Sequence, residues 1–172
     1  MSGHIAAIGY ELYCQLLEAA VRKQNKLPPK TQIDVTVVLP MSAYIPDHYI
    51  SDLRQKMDFY RRLSRISTLE DVDALEAELR DRFNNPPDET INLIEIARLR
   101  IMAHQLAINK IYTDGVDIIF EFASRRKFKS VMARVGRTIR ITDDNFGYMK
   151  LEDRDKNPAY LLAMLKKALK PN

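Results

Sequence analysis

The chain has 172 residues, 46 % of them apolar and 29 % charged, with a formal net charge of +4; this is the balance of a globular protein long enough to bury a core. The rare residues exclude several chemistries: Cys14 has no partner for an internal disulfide, His4, His48 and His104 stand singly, and the five glycines (3, 9, 115, 136, 147) are spaced wrongly for any phosphate loop or nucleophile elbow. No apolar run approaches the roughly 18 residues needed to span a bilayer, and no basic flank precedes an apolar core, so a cytoplasmic protein without a membrane partner is expected.

Residues 5–26 carry Ile5, Ile8, Leu12, Leu16, Leu17, Ala20 and Val21 at spacings of three and four, the pattern of an amphipathic helix. A polar stretch with Pro28 and Pro29 follows and reads as a linker. An apolar stripe with so little chain before it needs a covering surface, as if the chain began inside a longer protein. Residues 31–39 alternate, with Ile33, Val35 and Val37 on one face of a predicted strand that Pro40 ends. The loop 43–50 has aromatic anchors. Three helices are then expected. The first, 51–66, places Leu53, Met57, Tyr60 and Leu63 on one face, and the second buries Leu69, Val72, Leu75, Leu79 and Phe83 behind a capping box at Ser67. The third, 88–109, is apolar nearly all round and belongs at the centre of the domain, with His104 read as a hydrogen-bonded core histidine rather than a ligand.

The last third changes period. Residues 110–122 form a predicted hairpin about Asp114-Gly115, with Val116, Ile118, Phe120 and Phe122 inward. A short basic helix follows Ser124, then two strands joined by a turn at 143–146, then a closing helix capped by Asn157 with Pro158 in its first turn. The expected fold class is α+β: an N-terminal helix and strand, a layer of three helices, and a small antiparallel sheet with two further helices.

The charge is unevenly placed. Residues 1–109 hold 13 Lys/Arg against 15 Asp/Glu, and residues 110–172 hold 14 against 8. Arg125, Arg126, Lys127, Lys129, Arg134, Arg137 and Arg140 follow one another with no acidic residue between. Such a run is either a patch for nucleic acid or an acidic protein, or a solvated helix followed by the outward face of a strand. Three cations in the first turn of a helix oppose its dipole, a conflict that an anionic partner would relieve.

Two stretches resemble a known family. Ser2-Gly-His-Ile-Ala-Ala-Ile-Gly-Tyr-Glu-Leu-Tyr-Cys-Gln-Leu-Leu17 is similar to the end of the translocation motif of bacterial transcription-repair coupling factors. Ala43-Tyr-Ile-Pro-Asp-His-Tyr-Ile50, Phe59-Tyr-Arg-Arg-Leu63, Glu78-Leu-Arg-Asp-Arg-Phe83 and Ile94-Glu-Ile-Ala-Arg-Leu-Arg100 together resemble the C-terminal domain of the same family. The resemblance implies that residues 1–30 end the motor and link it to a regulatory domain over 31–172. It implies a parent that is an ATP-driven translocase on double-stranded DNA, which displaces stalled RNA polymerase and recruits UvrA. The ATP and Mg site would lie upstream, leaving this chain without a cofactor and without catalysis of its own. It further implies that the domain packs against the N-terminal UvrB-like module and masks the UvrA-binding surface, through residues matching Glu78, Asp81 and Arg82.

The i, i+3, i+4 spacing of these three sets them on one side of the second helix. At about 100° per residue they point away from its apolar stripe, so Glu78 and Asp81 should be exposed, with Arg82 nearer the boundary. The plain alternative is a Glu78–Arg82 pair within the helix, worth about 0.3–0.5 kcal/mol and nothing more. Three functions therefore compete: a masking interaction domain, an accessory nucleic-acid-binding domain using the basic run, and a small enzyme. The third has no convergent acid, base or nucleophile set in its favour.

Overall fold

A computed structural model describes residues 33–171 of the chain. The expected helix at 5–26, the linker, Cys14 and the first resembling stretch lie outside the described residues. Strand β1 (Thr36–Val38) is followed by helices α1 (Leu53–Arg65), α2 (Leu69–Phe83) and α3 (Asp88–Gln105). Then come β2 (Ile108–Asp114), β3 (Asp117–Phe122), α4 (Arg125–Val135), β4 (Ile139–Ile141), β5 (Phe146–Lys150), a 3-10 turn (Asp153–Lys156) and α5 (Pro158–Leu169). The fold is α+β, as expected, and its sheet is mixed rather than purely antiparallel. Strand order is β1-β2-β3-β5-β4, with β1 parallel to β2 and every other pair antiparallel.

The chain divides into two compact units. Among the described residues the first is Ser42–Ala97, and the second joins Ile33–Met41 to the chain from Arg98 onward. Over the full sequence the second unit has 16 Lys/Arg against 9 Asp/Glu, a net +7, whereas the first has 11 against 14, a net −3.

In the first unit, the Asp52 carboxylate accepts from the Gln55 N–H at 2.8 Å and starts α1. Buried positions Lys56, Phe59, Tyr60 and Leu63 define its inner face. Leu53, expected on that face, is 66 % exposed because it sits in the first turn, beyond the edge of the packed surface. Lys56 takes the inward place instead and ends in an ion pair with Asp47. Helix α2 starts one residue later than expected: Thr68, not Ser67, accepts from the Asp71 N–H at 3.2 Å. Its stripe of Val72, Leu75 and Leu79 is buried. The loop 43–50 is tied down at several points. Ile45 N–H donates to the Tyr60 hydroxyl at 2.6 Å, Tyr44 N–H donates to Glu89 at 3.1 Å, and Asn92 donates to the Ser42 carbonyl at 2.9 Å.

In the second unit, the hairpin turns through Gly115, whose φ of +59° favours glycine. Val116 is in the turn rather than the strand and is 63 % exposed, so the inward set begins at Ile118. One sheet face carries Val37, Ile111, Phe120 and Gly147 in register, and beside them Ile118, Met149 and Ile139. Helix α4 lays Phe128 on this face, stacked on Phe122 at 4.2 Å between centroids and tilted against Phe120 at 5.5 Å. Helices α4 and α5 pack together, and Leu161, Leu165, Ala168 and Leu169 of α5 are fully buried. Asn157 caps α5 by accepting from Ala159 and Tyr160 N–H, with Pro158 as its first residue.

The histidine reading is overturned. His104 is exposed near the C-terminal end of α3, which stops at Gln105, so Ile108 belongs to β2. The buried polar group of this stretch is Arg100, whose guanidinium donates to the carbonyls of Val35 at 3.0 Å and Ile33 at 3.2 Å. Those contacts tie the chain leading into β1 to α3.

Candidate functional site

Helices α1 and α2 are joined by the three residues Ile66, Ser67 and Thr68. Edge-on packing of Phe59 against Phe83, with ring centroids 5.8 Å apart, sets one helix against the other. Tyr49 packs edge-on to Phe83 at 6.0 Å. Its hydroxyl lies 2.9 Å from the Asn84 carbonyl and 3.2 Å from that of Leu79, either of which accepts its single proton. The end of α2, where Asn84 adopts a φ of +66°, is thereby anchored.

On this base sits a cluster of charge. Arg62 of α1 donates through both terminal nitrogens to the two carboxylate oxygens of Glu78, one bond measuring 3.0 Å, in a forked pair. Arg82 donates to Glu78 Oε1 at 2.8 Å from the next turn of α2. The Arg82 guanidinium also lies 5.3 Å from the Phe59 ring and 5.1 Å from that of Phe83, while Arg62 lies 5.2 Å from Phe59. Hydrogen bonds from Arg62, reinforced by Arg82, outweigh the opposing effect of burial and hold the Glu78 carboxyl down to about 2. Asp58 approaches Arg62 at 3.7 Å.

The structure therefore brings Glu78 and Arg82 together and sets Asp81 apart. Glu78, expected to be exposed, has a side chain only 31 % accessible because two arginines close over it. Asp81 is exposed and has no ion pair among the described residues. Arg82 is exposed and half-spread on aromatic rings, in keeping with a boundary position. The residue that sequence reasoning missed is Arg62. It lies in the resembling stretch Phe59-Tyr-Arg-Arg-Leu63, but nothing in periodicity joins it to a carboxylate 16 residues away.

The basic run does not form one patch. Arg125, Arg126, Lys127 and Lys129 are exposed at the start of α4, where Ser124 caps the helix by accepting from Lys127 N–H at 3.4 Å. Two of the cations find backbone partners: Arg125 donates to the Thr142 carbonyl at 3.5 Å, and Lys127 donates at 3.1 Å to that of Gln105 at the end of α3, a negative helix terminus. Much of the expected dipole conflict is thus relieved internally. Arg134 folds back on Ser130, Arg137 is sequestered by Asp155, and Arg140 lies over the Tyr148 ring at 4.8 Å. Among the described residues there is no group of three His, Cys, Asp or Glu able to hold a metal ion, and no helix long and apolar enough to cross a membrane.

The family model of the TRCF domain matches residues 39–132, more than half of the chain and all of the α1–α2 cluster. The chain belongs to the TRCF domain family. A transcription-repair-coupling factor of Myxococcus xanthus is 47 % identical to it over 107 residues, 62 % of this chain and 9 % of that protein. The Haemophilus influenzae transcription-repair-coupling factor is 33 % identical over 129 residues, 72 % of this chain and 11 % of its own length. This TRCF domain chain thus spans about a tenth of the length of the curated relatives it matches. A crystal structure of the C-terminal domain of a transcription-repair coupling factor shares its fold, with a TM-score of 0.66, 21 % identity, and coverage of 81 % of this chain and 94 % of that one.

Proposed function

We propose that the chain is a non-catalytic regulatory domain of a transcription-repair coupling factor, a DNA translocase that displaces stalled RNA polymerase and recruits UvrA in transcription-coupled excision repair. In this reading the ATP-hydrolysing motor lies elsewhere in the parent, the protein is cytoplasmic, and the α2 face docks on the N-terminal UvrB-like module to mask the UvrA-binding surface. The observation that carries the reading is the pre-ordered arginine pair around Glu78 beside an unpaired Asp81. A partner that offers a cation to Asp81 and an anion to the outer N–H groups of Arg82 and Arg62 meets charges already held in place, so little side-chain ordering opposes docking. A reversible mask needs only about 1–3 kcal/mol of coupling, within reach of a few such contacts.

The geometry also selects the test. Reversing Glu78 would set a third cation against Arg62 and Arg82 and damage the α1–α2 contact itself, so Asp81 and Arg82 are the cleaner probes. In the full-length protein, Asp81→Lys with Arg82→Glu should raise UvrA affinity about tenfold in a binding titration. Unchanged affinity overturns the assignment of the masking face.

A further inference from the structure

The sheet face opposite α4 carries an ordered row. Val38, Tyr112, Ile119, Tyr148 and Arg140 are register partners across all five strands. Val38 is 55 % exposed and Arg140 is exposed, while the two tyrosines are half-buried around Ile119, which they cover. Two inter-strand spacings separate the tyrosines, about 9.5 Å. Each ring carries a cation: Lys110 Nζ lies 4.6 Å from the centre of Tyr112, and the Arg140 guanidinium lies 4.8 Å from that of Tyr148. Three carboxylates share this face, Glu121 opposite Lys110 and Asp114 opposite Asp117, and Asp117 in turn has Lys150 as its partner on β5.

The end of the sheet where β3 finishes and β5 begins leads directly into the basic start of α4. Arg125 touches the β4–β5 turn there, and Arg126 and Lys129 have no ion pair among the described residues. Asp143 and Asp144 in that turn offset part of this charge, but the unit as a whole is +7.

We infer that this sheet face and the start of α4 form a binding platform for single-stranded nucleic acid. Aromatic rings spaced along a sheet, each beside a Lys or Arg, are the chemistry that stacks unpaired bases and neutralises the phosphates between them. The cation over each ring moves to a phosphate as a base takes the ring face, and Arg126 and Lys129 receive the strand as it leaves the sheet. Duplex DNA presents no free base faces to such rings, so it gains only the electrostatic part. The platform shares no residue with the α2 face and stands or falls separately from it.

The test is fluorescence anisotropy of a labelled oligothymidylate of about 20 nucleotides, and of a duplex of the same length, titrated with the whole chain at low salt. Tyr112→Leu and Tyr148→Leu keep Ile119 covered but remove the ring. Each should weaken single-strand binding about tenfold and leave duplex binding unchanged, whereas Tyr148→Phe should bind as the parent does. The exposed pair Arg126→Glu with Lys129→Glu should weaken both ligands and flatten the salt slope for the single strand by about 1.4. Thermal melts of each variant confirm folding. No binding at low salt, equal affinity for both ligands, or indifference of a folded variant to loss of either tyrosine overturns the inference.

Discussion

Arg62 grips Glu78 with both terminal nitrogens of its guanidinium, across two helices and 16 residues of sequence. A forked pair whose side chains are still 40 % and 31 % accessible contributes modestly, because water competes for both ions. A double-mutant cycle of Arg62→Ala and Glu78→Gln, read by urea denaturation, should give a coupling of about 1 kcal/mol. Arg62→Ala alone should cost somewhat more than this coupling, since its stem and guanidinium also cover Phe59.

Acid should weaken the fold through identifiable carboxylates. Glu78 is held at about 2 by its arginines. Burial works to raise Asp155, but hydrogen bonds from Arg137 and from the Glu152 N–H prevail and hold it below its ordinary value. Both groups bind protons more readily unfolded than folded, so the stability they add is complete above the ordinary carboxylate range. It is lost as pH falls from about 5 towards about 2. Melting temperature should therefore decline over that interval, and Glu78→Gln should make the decline shallower.

Arg137 and Asp155 form the most enclosed ion pair of the second unit, with side chains 8 % and 1 % accessible and contacts of 2.6 and 2.9 Å. Asp155 also accepts from the Glu152 N–H at 2.7 Å, fixing the 3-10 turn ahead of α5. Asp155→Ala leaves a buried guanidinium with Glu152 at 3.5 Å and Tyr160 but without its forked partner, and should cost about 3 kcal/mol in chemical denaturation.

Gly147 is required by contact rather than by backbone conformation. A Cβ there would meet the Phe128 ring at 2.7 and 2.8 Å and Ile139 at 3.1 Å. Gly147→Ala should destabilise by about 1–3 kcal/mol, since the ring is itself wedged between Phe120 and Phe122. Combined with Phe128→Leu, the loss should fall short of additive, which two further melts would show.

Arg100 holds the lead-in to β1 through the carbonyls of Val35 and Ile33. Arg100→Leu should fit the buried stem but free those carbonyls, and amide exchange over Thr36–Val38 should quicken more than exchange in β3. Equal protection of Thr36–Val38 in Arg100→Leu and the parent would show that the β2 ladder alone secures this strand.

The features legible in the sequence were those that depend on near neighbours. Asp114-Gly115 marks the hairpin, Asn157-Pro158 starts α5, Ser124 caps α4, and alternation sets Ile118, Phe120 and Phe122 inward. The misreadings share a cause. Arg62 with Glu78, Arg137 with Asp155 and Arg100 with Val35 are paired through tertiary placement, and no local period announces them. His104 and Leu53 fail at helix ends, where a position of the right phase lies beyond the covering surface. The mixed sheet was illegible for a related reason, since a lone alternating strand carries no mark of which neighbour it will join.

That lone strand has a consequence for the order of assembly. Val37 pairs with Ile111, 74 positions further on, with α1, α2 and α3 all made in between. Closing so long a loop costs about 4 kcal/mol of chain entropy, which a three-residue ladder cannot recover by itself. The β2–β3 and β4–β5 hairpins close through tight turns and β3 joins β5 across only 25 to 33 positions, so these four strands form first and β1 docks onto a finished edge. The first described segment to leave the ribosome is therefore among the last to become native. Val35 and Val37 stay uncovered throughout synthesis of the helices, an interval in which a nascent chain is open to mispairing with other strands.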